Sequence, residues 1–233
     1  MAAHWNRYYT PNTVEEAVAL LGDYDGMARV VGGGTDLLLE LQQGLRPRVE
    51  ALVDVTRIEG ADRIEADGDH LVIGCGVTHT RIVNDERMIR RGTCLVESCG
   101  VIGGPQVRNV GTLAGNVAHA LPAGDGTIGL LALDGEMEIA DADGTRWIPV
   151  GEGFLGPGKS AVDHERAVLS RLRFRGTGPA EGSAFRRVMR PQGVALPMIS
   201  MAVRIQLEAD DSIHSARIGN APAGPTPFHA TDT

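Results

Sequence analysis

Two glycine-rich stretches carry the chemistry open to this sequence. Ala28–Val31 reads as a short buried strand that runs into Gly32-Gly33-Gly34, and Thr35 can cap a helix from Asp36 to about Gln43. A strand that ends in consecutive glycines and enters a helix is, physically, a phosphate cradle. Glycine lets backbone N–H groups approach an anion, and the helix N-terminus adds a favourable dipole. The same letters also describe a plain tight turn. A Rossmann fingerprint needs G-x-G-x-x-G/A, yet counting from Gly32 and Gly34 reaches Leu37, and counting from Gly74 and Gly76 reaches His79. The P-loop pattern, with its Gly-Lys-Ser/Thr, is not expected anywhere in the chain.

The second stretch is Gly103-Gly-Pro-Gln-Val-Arg-Asn-Val-Gly-Thr-Leu-Ala-Gly-Asn116, followed by Pro122-Ala-Gly-Asp125. Gly111 and Gly115 permit backbone conformations closed to other residues, while Thr112 and Asn116 offer short hydrogen-bonding groups. Asp125 is suited to accept from ribityl or ribose hydroxyls. A glycine-rich loop without bulky charge suits a ligand that brings its own pyrophosphate and a long polyol arm. Arg108 reads either as a phosphate ligand or as a brace that pairs with a carboxylate. His79 and His119 read as bases or as structural hydrogen-bonding groups, the commoner role for a lone histidine. Glu15-Glu16 and Asp210-Asp211 read as solvated faces.

The elements that must hold these loops follow from periodicity. Thr13-Val-Glu-Glu16 is a capping box, with Val14, Ala17, Val18 and Leu21 at helical spacing and Gly22 as the expected close. Ala51–Val55 reads as a further buried strand, so the chain up to about Thr56 is a small α/β unit. Ile64–Ala66 and His70–Gly74 flank Asp67-Gly-Asp69 as a hairpin. Thr93 is expected to cap a helix over Cys94–Val101. Strands are expected at Leu130–Leu133, Glu136–Ala140 and Thr145–Val150. After a linker near Gly176-Thr-Gly-Pro179 they are expected at Ser183–Met189, Ile199–Leu207 and Ile213–Ile218. The turn formers between Gly103 and Gly126 make a stretch long enough to suggest function.

Composition narrows the classes. The 31 glycines are roughly twice the usual share of about 7%. A net charge of −8 with no Lys/Arg cluster argues against a nucleic-acid surface. Cys75, Cys94 and Cys99 lack CxxC spacing, so neither a disulfide framework nor a metal or cluster site is indicated. No signal core or bilayer-length apolar run is present, and a cytoplasmic protein is expected.

Three segments carry a resemblance: Val31-Gly-Gly-Gly-Thr-Asp-Leu37, Gly104–Asn116 with Pro122 and Asp125, and Phe154-Leu-Gly-Pro-Gly-Lys159. Together, in order and spacing along nearly the whole chain, they resemble the FAD-binding medium subunit of the molybdenum hydroxylases. The resemblance implies an α+β fold like that of vanillyl-alcohol oxidase (PCMH-type), with FAD between two α/β subdomains at about 1–56 and 57–176. A small C-terminal α+β domain from 181 to 233 is expected to be incomplete, because relatives continue beyond Thr233. By position, Val31, Gly32, Gly33, Gly34, Thr35, Asp36 and Leu37, with Thr112, Leu113, Ala114, Gly115 and Asn116 beside Gly111, would hold the pyrophosphate. Asp125 would bind the ribityl chain, Ile102 and Val168 would make apolar contacts, and Arg186 would stand where many relatives carry lysine.

The implied activity is electron transfer by non-covalent FAD, with no catalytic acid–base pair and no metal of its own. Molybdopterin and a [2Fe–2S] cluster would sit in a large and a small partner subunit of a heterotrimer. NAD, a quinone or oxygen would accept the electrons. A stand-alone FAD oxidoreductase of the same fold, or a non-enzymatic FAD-binding module, are the alternatives. Ala114 stands where the family has the first glycine of Gly-Gly-Asn, which requires a negative φ there. Gly33→Val is expected to abolish FAD binding with the fold largely intact.

Overall fold

The computed structural model describes residues 4–191 and 193–230. The chain opens with β1 (Arg7–Tyr9), α1 (Val14–Asp23), β2 (Ala28–Val31), α2 (Leu37–Gln42) and β3 (Ala51–Asp54). These strands form a parallel sheet in the order β1-β3-β2. Thr13 caps α1 by accepting the Glu16 amide at 3.1 Å, and Glu16 reaches back to the Asn12 amide at 2.8 Å. The helix runs one residue past Gly22, and the Tyr24 amide closes it on Leu21 and Gly22 carbonyls. At α2 the cap is Asp36 rather than Thr35, and no side chain bonds its first turn.

Next come β4 (Ile64–Asp67) and β5 (His70–Gly74), joined as expected by a hairpin whose Gly68 has φ +56°. Six helices follow: α3 (His79–Asn84), α4 (Glu86–Arg91), α5 (Thr93–Gly100), α6 (Pro105–Val110), α7 (Leu113–Ala118) and α8 (Asp125–Ala132). The stretch read as turn formers thus holds two short helices, α6 with Pro105 in its first turn and α7 capped by Thr112. Thr93 lies inside α5, with Gly92 at the cap. Leu130–Leu133 does not form a strand. Leu130–Ala132 close α8, in which every residue is buried, and Leu133 is its cap. A short all-apolar run fits a buried helix as well as a buried strand, and packing decides. Here α8 is wedged between α5 and the last sheet.

The chain then forms β6 (Glu136–Asp141), β7 (Gly144–Pro149), β8 (Phe154–Gly156), β9 (Lys159–Ser160) and β10 (Val168–Arg175). An antiparallel sheet ordered β4-β5-β10-β6-β7 results, so this part is α+β rather than α/β. Its central strand, β10, was not among the expected strands, although it alternates. Leu172 and Phe174 are buried, while Arg171 and Arg173 face outward, bond Glu138 and Glu136 and flank the Trp147 ring.

The last part is an antiparallel sheet of β11 (Glu181–Met189), β12 (Pro197–Leu207), β13 (Ile213–Ala221) and β14 (Phe228–His229). Phe185, Ser200, Ala202 and Ala221 turn inward and are buried. On the other face Val188, Ile199, Met201 and Leu207 are exposed large apolar groups. A contiguous apolar sheet face promotes association. The purified chain is therefore expected to elute in sizing experiments above its monomer mass of 24.7 kDa, and Met201→Lys to shift it toward monomer. A wild-type chain that stays monomeric at high concentration would show the face to be tolerated in water.

Candidate functional site

The two glycine loops meet. The amide of His79, at the start of α3, donates to the Gly111 carbonyl at 3.0 Å, and the Leu113 amide donates to Val77 at 3.2 Å. These bonds pin the α6–α7 loop to the segment between β5 and α3, and the loop so held packs tightly on the first glycine loop. A Cβ on Gly33 would stand 2.1 Å from the Val110 carbonyl oxygen, and one on Gly32 would stand 3.1 Å from Thr112 Oγ1. Gly34, at φ +69°, supplies a left-handed turn into α2. The glycines at 32 and 33 are therefore required first by the approach of the second loop. This corrects the expectation that Gly33→Val spares the fold.

Between the loops opens a cavity of about 690 Å³, within the usual range for a small-molecule site. Val31–Leu37, Ile102, Gly111, Thr112, Gly115, Asn116 and Asp125 all line it. Among the described residues, the amides of Gly33, Gly34, Thr35 and Asp36 donate to no carbonyl or side chain. Four consecutive N–H groups at the start of a helix make a nest for an anion. The second loop has less to offer. Its Leu113, Gly115 and Asn116 amides already donate to Val77, Thr112 Oγ1 and the Thr112 carbonyl. Asn116 Oδ1 is buried in the cavity wall without a partner among the described residues, a polar atom left for a ligand or water to satisfy.

Several expected contacts lie elsewhere. Leu113 and Ala114 are buried in α7 and Val168 is buried in the core at the start of β10. None of the three lines the cavity. Ala114 is helical and has no positive φ, so a glycine is not required there. Arg186 points away, pairing with Glu97 at 3.1 Å. Because strand side chains alternate, its neighbour Arg187 faces the cavity and donates to Asp125 Oδ2 at 2.6 Å. Ser200 donates to Asp125 Oδ1 at 2.7 Å. Asp125 is only 4% exposed, and burial raises its carboxyl above the ordinary range against the opposing pull of Ser200 and Arg187. The sequence missed Arg187 and Ser200; the inward register of Phe185 on β11 was the signal that separates Arg187 from Arg186.

Arg108 is a brace, as one of its readings held, but through carbonyls. It donates to Ile102 at 3.0 Å and Gly103 at 2.9 Å. His79 is buried at the cavity wall, and burial, then the Arg108 charge, push it down to about 4. It is neutral at physiological pH. His119 stands with its Nε2 3.7 Å from Glu40 and 3.9 Å from Asp36. Burial also pushes His164, on the same flank, down to about 4. The three cysteines are buried, and burial raises each thiol, which makes them inert.

The third motif does not reach the cavity. Phe154–Lys159 is the β8–β9 hairpin, and its Gly158 amide donates to Ala120, a buried residue held at φ +54°. The overlapping string Gly153-Phe-Leu-Gly-Pro-Gly-Lys-Ser160 does satisfy the letters G-x-x-x-x-G-K-[ST], so the expectation of no P-loop pattern fails at the level of spelling. The string nevertheless does not fold as a P-loop. No helix follows the loop, Lys159 is exposed, and the string closes a two-stranded hairpin.

No helix of the described residues is long and apolar enough to cross a membrane. Residues 3–174 match the family model described as the FAD binding domain in molybdopterin dehydrogenase. The chain is 29% identical over 232 residues to a xanthine dehydrogenase FAD-binding subunit of Escherichia coli O157:H7, covering 97% of this chain and 78% of that one. It is 30% identical over 186 residues to the carbon monoxide dehydrogenase medium chain of Hydrogenophaga pseudoflava, covering 80% and 64%. A solved structure of carbon monoxide dehydrogenase from Hydrogenophaga pseudoflava superposes with a TM-score of 0.92 at 26% identity, over 99% of this chain and 79% of that chain. Quinoline 2-oxidoreductase from Pseudomonas putida 86 shares the fold, with a TM-score of 0.88 at 24% identity over 97% and 77%. A cavity framed by two glycine loops, and a match across most of the sequence, place this chain in the family of FAD-binding domains of molybdopterin dehydrogenases.

Proposed function

We propose that this chain is the FAD-binding, electron-transferring subunit of a molybdenum hydroxylase complex. The observation that carries the reading is the row of free amides from Gly33 to Asp36, opening into the cavity that the second glycine loop closes. That row fits a pyrophosphate, and Asn116 Oδ1 and the Arg187–Asp125 pair supply polar contacts beside it. Bound FAD supplies the redox chemistry, taking up and releasing one or two electrons. The chain's own residues bind and orient it. Arg108 fixes the Ile102–Gly103 wall from behind, His79 lines the cavity as a neutral imidazole, and Arg187 sets a fixed cation at the Asp125 end.

Relatives are named as FAD-binding or medium subunits of dehydrogenases, which supports partners of the same kind here. These are a large molybdopterin subunit, a small [2Fe–2S] subunit that delivers electrons, and NAD, a quinone or oxygen as acceptor. Acid precipitation of the purified yellow protein tests the cofactor. All the flavin is expected in the supernatant as FAD, with neither molybdenum nor stoichiometric iron in the metal analysis. Flavin retained in the pellet would show a covalent bond, and release of FMN alone would remove the dinucleotide.

A further inference from the structure

Asp125 opens α8, lines the cavity and is itself buried. Both of its carboxylate oxygens are held by the last sheet. Arg187 Nη1 of β11 donates to Oδ2 at 2.6 Å, and Ser200 Oγ of β12 donates to Oδ1 at 2.7 Å. Arg187 and Ser200 stand opposite each other in the β11–β12 ladder, so one rung of the sheet supplies both donors. The two differ in what else they reach. Arg187 also faces the cavity, whereas Ser200 is fully buried and does not line it. Ser200 can therefore act on a bound molecule only through Asp125. Other parts of the sheet's seat lie off the cavity. Ser183 Oγ accepts the Cys94 amide at 3.1 Å, and Glu97 accepts the Phe185 amide at 2.6 Å. Gly219 lies so close to α8 that a Cβ there would stand 3.2 Å from the Ile128 carbonyl oxygen.

We propose that Ser200 is a positioning residue for the cofactor, and that through Asp125 it couples occupancy of the cavity to the seating of the β11–β12 strand pair on α8. The coupling rests on the FAD reading above and adds to it a group that lies outside the cavity.

An ionised carboxylate offers about four lone-pair sites. Arg187 and Ser200 take one on each oxygen and so fix the plane of the group, leaving the others for a cofactor hydroxyl. Such a hydroxyl favours the ionised form. The bonds from Arg187 and Ser200 favour the same form, against the burial that opposes it. Each bond therefore strengthens the others. By reciprocity, whatever steadies the strand pair tightens the cofactor to the same degree. Among the described residues, the charged or titratable groups set against Asp125 are Arg187 from β11 and the Cys99 thiol from α5, which burial keeps protonated. Because the cofactor needs the carboxylate, FAD affinity falls when acid protonates Asp125. Ser200→Ala removes a bond that holds this pKa down, so in the variant the fall begins at higher pH.

The experiment uses flavin-depleted full chain, wild type and Ser200→Ala, each titrated with FAD from acid to neutral pH. Hydrogen exchange is followed over Ile199–Leu207, which lies off the cavity, with β6 as the internal reference. Wild type is expected to exchange more slowly over Ile199–Leu207 when FAD is bound, while β6 changes little. Ser200→Ala is expected to bind FAD about tenfold more weakly at neutral pH, the weight of one hydrogen bond to a charged group. It should also lose the added protection of β12 and show the acid fall in affinity at higher pH. Circular dichroism checks its fold, and the wild-type exchange result stands independently of the variant. Weaker binding with an unmoved pH profile would make Ser200 a packing residue and overturn the proposal. Exchange over Ile199–Leu207 that ignores FAD in wild type would overturn it as well, as would unchanged affinity in Ser200→Ala. Wild type that binds no FAD at any pH would overturn the cofactor reading itself, a result distinct from these.

Discussion

Gly33→Val is expected to yield protein without flavin and with a melting temperature lowered by roughly 6–12 °C. The reason lies in the contact between loops, where a Cβ at position 33 would stand 2.1 Å from the Val110 carbonyl oxygen and 2.7 Å from Gly111 Cα. Overpacking against side chains costs about 1–3 kcal/mol because they can turn aside. Here the obstacle is backbone, held by the bond from the His79 amide to the Gly111 carbonyl at 3.0 Å. About 3 kcal/mol is therefore the fair expectation, and for a domain of this size each kcal/mol moves the melting point by roughly 2–4 °C. Parting the loops also misplaces the free amides of Gly33 to Asp36, so binding and stability fall together. Gly182→Val is the control. A Cβ there meets nothing within 4 Å, and its melting point and flavin content should match wild type. A Gly33→Val protein that melts normally and stays yellow would remove the contact between the loops from the account.

Arg187→Met is expected to be the other severe substitution, with a loss of about 3–5 kcal/mol, the usual result of leaving a buried charge without its partner. Asp125 is 4% exposed, and Arg187 Nη1 lies 2.6 Å from its Oδ2. Ser200 alone cannot replace that charge. Because Arg187 also faces the cavity, flavin content should fall in the protein that remains folded. The loss should depend on pH, and its sign follows from the raised pKa of Asp125. A carboxyl whose folded pKa lies above its unfolded value favours the fold below the unfolded pKa and loses that contribution as pH rises through the folded one. Removing Arg187 raises the folded pKa further. The gap in melting temperature between wild type and variant should thus be small in acid and widen as pH rises through the carboxylate range toward neutrality. A gap that is constant with pH would mean that Arg187 acts through packing alone.

Much of this was legible in the letters because it is local. The Thr13 box, the strand into Gly32–Gly34, the hairpin over Asp67–Asp69 and the alternating strands after Ser183 each state their conformation within a few residues. The order of strand, consecutive glycines and helix start that the proposed phosphate site needs is also visible in sequence. What the letters left open were matters of register and of contact between distant segments. Leu130–Leu133 has the same apolar run as a strand or a buried helix, and only its place between α5 and the last sheet makes it helical. Arg186 and Arg187 are adjacent and identical in kind, and the pleat of β11, fixed by burying Phe185, sends only the second into the cavity. Gly153–Ser160 spells a phosphate loop but closes a hairpin, because spacing does not supply the helix that would polarise it. The sequence alone thus determined the strand–glycine–helix order of the first loop. Tertiary packing decided which of its amides remain free, because a hydrogen-bond donor is available to a ligand only where no other part of the chain has already claimed it.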